Sequence, residues 1–214
     1  ISVGAGGDSI TVRANSLGTV RFADSGETVS LTSLLPQTVD LTGQATGGDD
    51  QIQGTPGNDL MAGLGGNDVL QGYAGDDVID GGSGFDLLVG DEGNDVLDGG
   101  ADADQLYGGD GDDLLKGGAG DQLFGGAGSD TYEITFSEPA SADSFASIVD
   151  IEGVSTIKID GGPGDWSQYQ VFQDSGTTFL AVGTQGIVAL LPGLDFSQTF
   201  VQLADGNSRS LAQL

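Results

Sequence analysis

Large apolar side chains recur at about every ninth position through the middle of the chain, from residue 46 to 133. Each has neighbours that would point to the opposite face of a β-strand, because side chains alternate along an extended backbone. The pattern therefore predicts a series of short strands whose central side chains share one core. The members of this apolar column are Ile52, Met61, Leu70, Ile79, Leu88, Leu97, Leu106, Leu115, Leu123 and Tyr132.

Glycine and aspartate recur in the same register, so the nine-residue unit reads G-G-x-G-x-D-x-U-x, where U is the apolar position. Self-similarity at a fixed period indicates a repeat architecture. Glycine permits left-handed backbone angles in the turns, and we expect Asn58, Asn67 and Asn94 to tolerate the same angles. The register is weaker at Asp102 and in the unit from Gly117, which is one residue short. The units begin at Gly54, Gly63, Gly72, Gly81, Gly90, Gly99, Gly108, Gly117 and Gly125.

The sixth position of each unit carries a carboxylate. Calcium takes six to eight oxygen ligands and mixes carboxylates with backbone carbonyls, and a glycine-rich turn with one aspartate offers both. A solvated acidic surface or Asp-Gly turn chemistry is the competing interpretation, but neither requires a strict register. Magnesium fits less well because it needs octahedral geometry and retains its waters. The predicted metal ligands are Asp50, Asp59, Asp68, Asp77, Asp86, Asp95, Asp104, Asp113, Asp121 and Asp130.

The units, with the opening GTPGNDLMAG and the closing GGAGDQLFGGAGSDTYEI, resemble the haemolysin-type or RTX nonapeptide array. The resemblance implies an all-β fold. The implied fold is a right-handed parallel β-roll in which six residues form a turn, three form a strand, and two units complete one coil. In this family each calcium ion lies between turns two units apart, so Asp59 would act with Asp77. The array would then bind up to about eight ions.

The charge of the chain narrows the range of partners. With 33 acidic and 5 basic residues, the net charge is −28, which disfavours nucleic acid and anionic membranes and favours cations. The chain contains no cysteine and no histidine, which excludes disulfides and the usual zinc, haem and Ser-His-Asp sites. No run of about 18 apolar residues predicts a membrane span. Calcium is therefore the cofactor that we expect.

The composition changes on either side of the array and predicts three parts. Residues 1–45 and 134–214 alternate apolar and polar residues between turn signals, which predicts β-rich segments that cap the roll of residues 46–133. The last part resembles the sequence after the repeats in RTX proteins, which implies an uncleaved type I secretion signal and the type I secretion machinery as a partner. Because the chain starts at Ile1 and its only methionine is Met61, we expect a piece of a longer protein.

One pattern outside the array has a catalytic alternative. FADSGETVSL and FQDSGTTFLAV each place Asp-Ser-Gly after an apolar residue, as aspartic proteases place their two carboxylates, here Asp24 and Asp174. Asp-Ser-Gly between alternating strands is also an ordinary hairpin connection, and we favour that interpretation. The common hydrolase, metalloprotease and nucleotide-binding motifs do not occur. We therefore expect no enzyme in this chain, with any catalytic domain of the parent protein lying outside it.

The strand side chains that face away from the core are compatible with two functions. One face carries Leu60, Val78, Val96 and Leu114, and the other carries Gln51, Val69, Leu87, Gln105 and Gln122, with Tyr107 stacked on Phe124. Such a face either satisfies strand propensity or is covered by a flanking segment or a partner. The first function is a secretion, folding and stability module of a secreted protein, unfolded at low calcium. The alternative is a structural or adhesive module at the cell surface that binds other copies of itself or surface polysaccharide.

Overall fold

The computed structural model describes residues 19–21, 28–30, 38–135, 145–149, 155–160, 166–174, 177–182, 186–190, 197–203 and 206–214. The chain divides into two compact units, residues 1–37 and residues 38–214. In the first unit, strand β1 (Thr19–Arg21) pairs antiparallel with β2 (Thr28–Ser30). This hairpin agrees with the β-rich character predicted for the beginning of the chain.

The repeat array forms short strands that alternate between two parallel sheets. The strands are β3 (Val39–Asp40), β4 (Gln51–Gln53), β5 (Asp59–Ala62), β6 (Val69–Ala74), β7 (Val78–Ser83), β8 (Leu87–Glu92), β9 (Val96–Ala101), β10 (Gln105–Asp110), β11 (Leu114–Gly117), β12 (Gln122–Ala127) and β13 (Thr131–Thr135). The even-numbered strands form sheet A and the odd-numbered strands form sheet B. Each strand pairs in parallel with the strand two units away, as Leu70 does with Leu88 and Leu88 with Leu106. The predicted all-β parallel roll, with two units per coil, is confirmed.

Most strands in the array are longer than the three residues that the resemblance implies. Strand β6, for example, covers six residues, Val69–Ala74, and includes the first three positions of the next unit. The reason is that the parallel ladder continues past the apolar residue, since Tyr73 pairs with Asp91 and Ala74 pairs with Glu92. The turn proper is correspondingly shorter, because the backbone remains paired at the second and third positions of the next unit.

The strands after the array extend both sheets. They are β14 (Phe145–Val149), β15 (Ser155–Asp160), β16 (Tyr169–Asp174), β17 (Thr177–Val182), β18 (Gly186–Leu190), β19 (Thr199–Gln202) and β20 (Ser208–Ser210). Strands β14 and β18 continue sheet A in parallel, and β15 and β19 continue sheet B. Antiparallel strands then complete the sheets, with β16 and β17 on sheet A and β20 on sheet B. Short 3-10 helices among the described residues are Thr42–Gln44, Trp166–Gln168 and Leu211–Gln213.

The core is a double column of apolar side chains, one from each sheet. Every member of the predicted apolar column is buried, and those from Met61 to Tyr132 are fully buried. The columns continue beyond the repeats, where Ile148 and Leu190 pair in sheet A, and Ile157 and Val201 pair in sheet B. All four side chains are buried. A narrow roll therefore has a continuous core although it is only two sheets thick.

The limits of the roll bear on the predicted division of the chain. Sheet B already begins at Val39, which pairs with Asp59, and its parallel part continues through Gln202. Strand pairing continues across residues 46 and 133, so the sheets do not mark a boundary at either position. The predicted division into three parts stays a prediction. Among the residues that the structure describes, no helix has the length and hydrophobicity needed to span a bilayer.

Candidate metal centre

The aspartates of the sixth position form two stacked columns, one at each edge of the roll. Nine of the ten predicted ligands, Asp59 through Asp130, are at most 3% exposed, and Asp50 in the first turn is half-buried. The backbone N–H of each aspartate from Asp50 to Asp113 donates to Oδ1 of the aspartate two units further on. The N···O distances are 2.7 Å from Asp59 to Asp77 and 2.8 Å from Asp77 to Asp95. The structure therefore brings together the residues that the resemblance pairs.

The second carboxylate oxygen has a different environment. Six of these Oδ2 atoms are buried and have no hydrogen-bond partner, those of Asp68, Asp77, Asp86, Asp95, Asp104 and Asp113. A buried ionised oxygen without a partner is strongly unfavourable unless a cation or a proton neutralises it. The unpartnered oxygens are therefore the first evidence in this structure for a bound cation.

The surroundings of these oxygens form a narrow cradle. A Cβ atom added to Gly81 would lie 2.6 Å from Oδ2 of Asp86 and 2.7 Å from the carbonyl oxygen of Gly99. The first glycine of the unit thus leaves a space that a carboxylate oxygen and a backbone carbonyl oxygen both border. Glycine is required there because any side chain would fill the space between the two oxygens.

The ligand set fits calcium better than other metals. Nowhere in the described ranges does a group of three or more acidic side chains converge to hold a metal ion. A cation in these turns would need backbone carbonyl oxygens besides the aspartates, and calcium accepts such mixtures readily. The residues that would hold it are the aspartate of one unit and the first glycine two units further on. The bound ion would supply the positive charge that the buried carboxylates lack.

Three predicted ligands have a protein donor on Oδ2 instead. The backbone N–H of Thr46 donates to Asp50 at 2.6 Å, and that of Thr55 donates to Asp59 at 2.5 Å. In the short unit the donor is the backbone N–H of Gly118, which lies 2.6 Å from Oδ2 of Asp121. The structure thus separates nine of the ten predicted ligands into two kinds of turn, which the repeat pattern does not distinguish.

Burial also changes the acidity of the carboxyl groups. It raises the pKa of Asp77 and Asp95 from 3.8 to about 6, and the N–H donated by the aspartate two units earlier opposes the rise. Burial likewise raises the pKa of Asp104 and Asp113 to about 7, with a further contribution from neighbouring carboxylates. In the absence of a cation, these groups therefore retain protons well above the usual range of aspartate.

The fifth position of the unit has a role that the sequence analysis misses. Asn58, Asn67 and Asn94 do not have the left-handed angles that we expect of them. Their side-chain oxygens instead accept the backbone N–H of the fifth position two units on, for example at 2.8 Å from Asp112 to Asn94. The sequence feature that could have predicted this role is the presence of Asn or Asp at the fifth position in most units. Phe85 interrupts the series at one edge because it has no such oxygen.

The remaining predicted features have mixed outcomes. Asp24 and the side chain of Asp174 lie outside the described residues, so the catalytic alternative stays untested. Of the predicted outward stripe, Leu60 and Val78 are 38% and 43% exposed, and they pair across the ladder. The predicted stacking of Tyr107 on Phe124 is confirmed, with ring centroids 4.4 Å apart and planes within 5°.

Comparison with known proteins places these turns in a family. The RTX calcium-binding nonapeptide repeat matches in four copies, over residues 42–70, 53–88, 89–121 and 103–132. No curated protein matches the chain. The crystal structure of extracellular lipase LipA from Serratia marcescens is similar over 76% of this chain and 42% of the lipase chain, with 19% identity and a TM-score of 0.24. This chain thus spans less than half the length of that lipase. Because the four copies coincide with the coils and their buried aspartates, residues 42–132 are an RTX calcium-binding nonapeptide-repeat module with the β-roll fold.

Proposed function

We propose that this β-roll is a calcium-dependent folding module of a larger extracellular protein, unfolded at low calcium and folded after export. In this role it serves the secretion, folding and stability of the protein to which it is attached, with the type I secretion machinery as a partner. The observation that carries the proposal is the set of six buried carboxylate oxygens without a hydrogen-bond partner. A roll with these oxygens ionised requires cations in order to remain folded.

Mass action supplies the coupling between calcium and folding. A ligand that binds only the folded state stabilises it by about 2.7 kcal/mol when its concentration is 100 times the dissociation constant. Extracellular calcium modules have dissociation constants of about 10⁻⁴–10⁻³ M. Several sites of this strength would favour the folded roll at millimolar calcium and leave it unfolded at the far lower concentration inside a cell. The number of ions, up to about eight by the spacing of the units, belongs to this proposal.

We assign no catalytic activity to this chain. Its chemistry is concentrated in aspartates that are paired in register with one another. Any catalytic domain of the parent protein would lie outside the chain. The RTX repeats fit a secreted protein, and the proposed calcium requirement supports a role in the extracellular medium.

A second candidate function rests on the exposed apolar side chains of sheet B. Leu60, Val78, Val96 and Leu114 occupy one register line, and the first and second are more than a third exposed. An apolar line on a half-exposed sheet favours contact with another copy or with cell-surface polysaccharide. In this alternative the module is structural or adhesive and located at the cell surface.

A calcium titration from the chelated state tests both functions on one sample. Far-ultraviolet circular dichroism reports the fold, and light scattering reports the mass. We expect a cooperative gain of β-structure at submillimolar to millimolar calcium with the mass of a monomer. A roll that is fully structured in chelator contradicts calcium-dependent folding. A mass that rises together with the β signal supports the structural alternative, and added polysaccharide then distinguishes its two partners.

A further inference from the structure

The second residue of the unit, which follows the first glycine, has a different backbone φ angle in the two kinds of turn. Seven units have a left-handed second residue, with φ from 73° to 125°. These residues are Leu64, Tyr73, Gly82, Asp91, Gly100, Gly109 and Gly126. The second residues of the other three units, Thr46, Thr55 and Gly118, are absent from the left-handed region.

This difference coincides with the environment of the aspartate. All six aspartates with an unpartnered Oδ2 belong to units whose second residue is left-handed. In the three remaining units, the N–H of the second residue donates to Oδ2, as Thr55 does to Asp59. We call the first kind open turns and the second kind closed turns. The orientation of one peptide thus coincides with whether Oδ2 accepts a backbone N–H. The glycine cradle is present in both kinds of turn, since a Cβ added to Gly54 would lie 2.6 Å from Oδ2 of Asp59.

An N–H group and a cation are alternative partners for the same oxygen. The hydrogen of a backbone N–H carries partial positive charge, so it stabilises the carboxylate and also repels a second positive group from it. In the two threonine units the hydroxyl adds a further donor, since Oγ1 of Thr55 lies 3.1 Å from both oxygens of Asp59. Closed turns therefore satisfy their aspartate without an ion.

Threonine at the second position is well suited to this role. A β-branched side chain is strongly disfavoured in the left-handed region, so it holds the peptide in the orientation that donates to the aspartate. In the short unit, the missing residue has the same effect, because the N–H of Gly118 lies three residues before Asp121 rather than four. Two independent local causes thus give the same hydrogen bond.

We propose that Asp50, Asp59 and Asp121 are not calcium ligands through Oδ2, and that Thr46 and Thr55 take the place of the ion in the first coil. This assignment rests on the proposed calcium-dependent function and states which turns use the metal. Calcium then occupies the open turns, beginning at Asp68. The first coil of the array forms without calcium and provides a folded edge on which the next coil can pair.

An isosteric pair of variants of the full chain tests the assignment. Asp77→Asn removes a charged oxygen from an open turn, and Asp59→Asn makes the same change in a closed turn. Native mass spectrometry and equilibrium dialysis count the bound calcium ions at saturation, and circular dichroism verifies that each variant is folded. We expect Asp77→Asn to lose at least one ion and Asp59→Asn to lose none. Loss of an ion in Asp59→Asn overturns the proposal.

The reverse change keeps the proposal testable if Asp77→Asn fails to fold. Thr55→Gly allows the second residue of a closed turn to become left-handed, and we expect one additional ion to bind. Thr55→Ser retains the hydroxyl and the N–H and should leave the ion count unchanged. An unchanged count in Thr55→Gly contradicts the assignment. A wild-type chain that binds no calcium contradicts the proposed function itself, so the two failures are distinguishable.

Discussion

The coils of the repeat array and the coils after it share one ladder, but they differ at the corners of the core. Within the array, glycine and buried aspartate flank the apolar column. After it, Ile134 pairs with Gly117 and Ile159 pairs with Ile134, so a large aliphatic side chain replaces the first glycine. On sheet A, Ser147 pairs with Gln122, which places the buried Ala146 at the level of Asp121.

The difference shows two ways to stabilise the same backbone. In the array the corners are polar and narrow, so the sheets are held together by the apolar column and by whatever neutralises the carboxylates. In the later coils the buried side chains at the corners are Ile134, Ile159, Ala146 and Val188, with Ser155 and Thr199 at the level of Asp130. Burial of apolar side chains contributes about 1.5–3 kcal/mol each without any ion. The corners of the later coils are therefore stabilised by hydrophobic burial, whereas those of the array require neutralisation of their charge.

Removal of calcium should separate the two regions most clearly. In chelator we expect the amides of the open turns, from Asp68 to Asp113, to lose their protection from hydrogen exchange. The amides of β15, β17 and β18 should remain at least about tenfold more protected, because their burial is apolar. Hydrogen-exchange mass spectrometry resolves the regions, and excess magnesium should not restore the array. Equal loss in both regions would mean that the corners do not determine the calcium dependence.

Gly81→Ala should have the next largest effect. The new Cβ would lie 2.6 Å from Oδ2 of Asp86 and 2.7 Å from the carbonyl oxygen of Gly99, so it fills the cradle. We expect the calcium concentration at half-folding to rise by at least about tenfold, or about 1.4 kcal/mol. Gly43→Ala is the matched control because a Cβ there meets nothing within 4 Å. The same change in the two variants would refute the cradle.

Ile134→Ala probes the hydrophobic corner. Ile134 is fully buried, and its truncation should lower the free energy of unfolding by about 2–5 kcal/mol in saturating calcium. The number of bound ions should not change, because no open-turn aspartate loses its surroundings. Denaturant unfolding measures the first quantity and equilibrium dialysis the second. A reduced ion count would show that the two regions are not independent.

Acidification should act on the array in opposite directions with and without calcium. Folding raises the pKa of Asp104 and Asp113 from 3.8 to about 7, so the calcium-free folded state binds more protons than the unfolded state. Its stability is then fully present below about pH 3.8 and is lost as the pH rises through about 7. With calcium, protons compete for the same oxygens, so half-saturation should need more calcium at pH 5 than at pH 7.5. Calcium titrations at both pH values, followed by circular dichroism, measure the direction in which the calcium midpoint shifts. A midpoint that does not change with pH would contradict the competition between protons and calcium.

Leu64→Gly should give the smallest effect, a stabilisation of about 1 kcal/mol. Leu64 has φ 73° and is 57% exposed, so glycine relieves the left-handed strain and little burial is lost. Leu60→Gly makes the same chemical change in an extended strand and should destabilise the protein by about 0.5–1 kcal/mol. Thermal unfolding in saturating calcium compares the two variants, and destabilisation by both would rule out strain at Leu64.

Much of the array could be predicted from the sequence because each column has its own chemistry. The apolar column requires burial, the glycines require space or left-handed angles, and together they fix the register of the parallel ladder. The extent of the strands could not be predicted, since it depends on backbone pairing that glycine neither favours nor prevents. The corner positions of Ile134 and Ile159 could not be predicted either. The later coils have no nine-residue spacing, and they pair segments as distant in sequence as β14 and β18.

The closed turns lie between these extremes. The closed turns at Thr46 and Thr55 could have been predicted from the sequence. A β-branched residue disfavours the left-handed conformation that the second position has in most units, so threonine there predicts a different backbone conformation. Gly118 carries no such signal, because glycine accepts either conformation, and only the missing residue in its unit indicates a change. For a similar reason, Asn58 and Asn94 were interpreted through their backbone angles and not through their side-chain oxygens. Asparagine has two common uses in turns, and only the hydrogen-bond partner two units away distinguishes them.

The two aspartate columns also make the folded roll a linear polyanion. Each coil adds one strand spacing of about 4.8 Å to each sheet and two buried carboxylates, or about one negative charge per 2.4 Å of axis. Duplex DNA carries about one per 1.7 Å and surrounds itself with condensed counterions for that reason. Calcium binding to the roll should therefore release monovalent ions, so its apparent affinity should decrease steadily as the sodium chloride concentration rises.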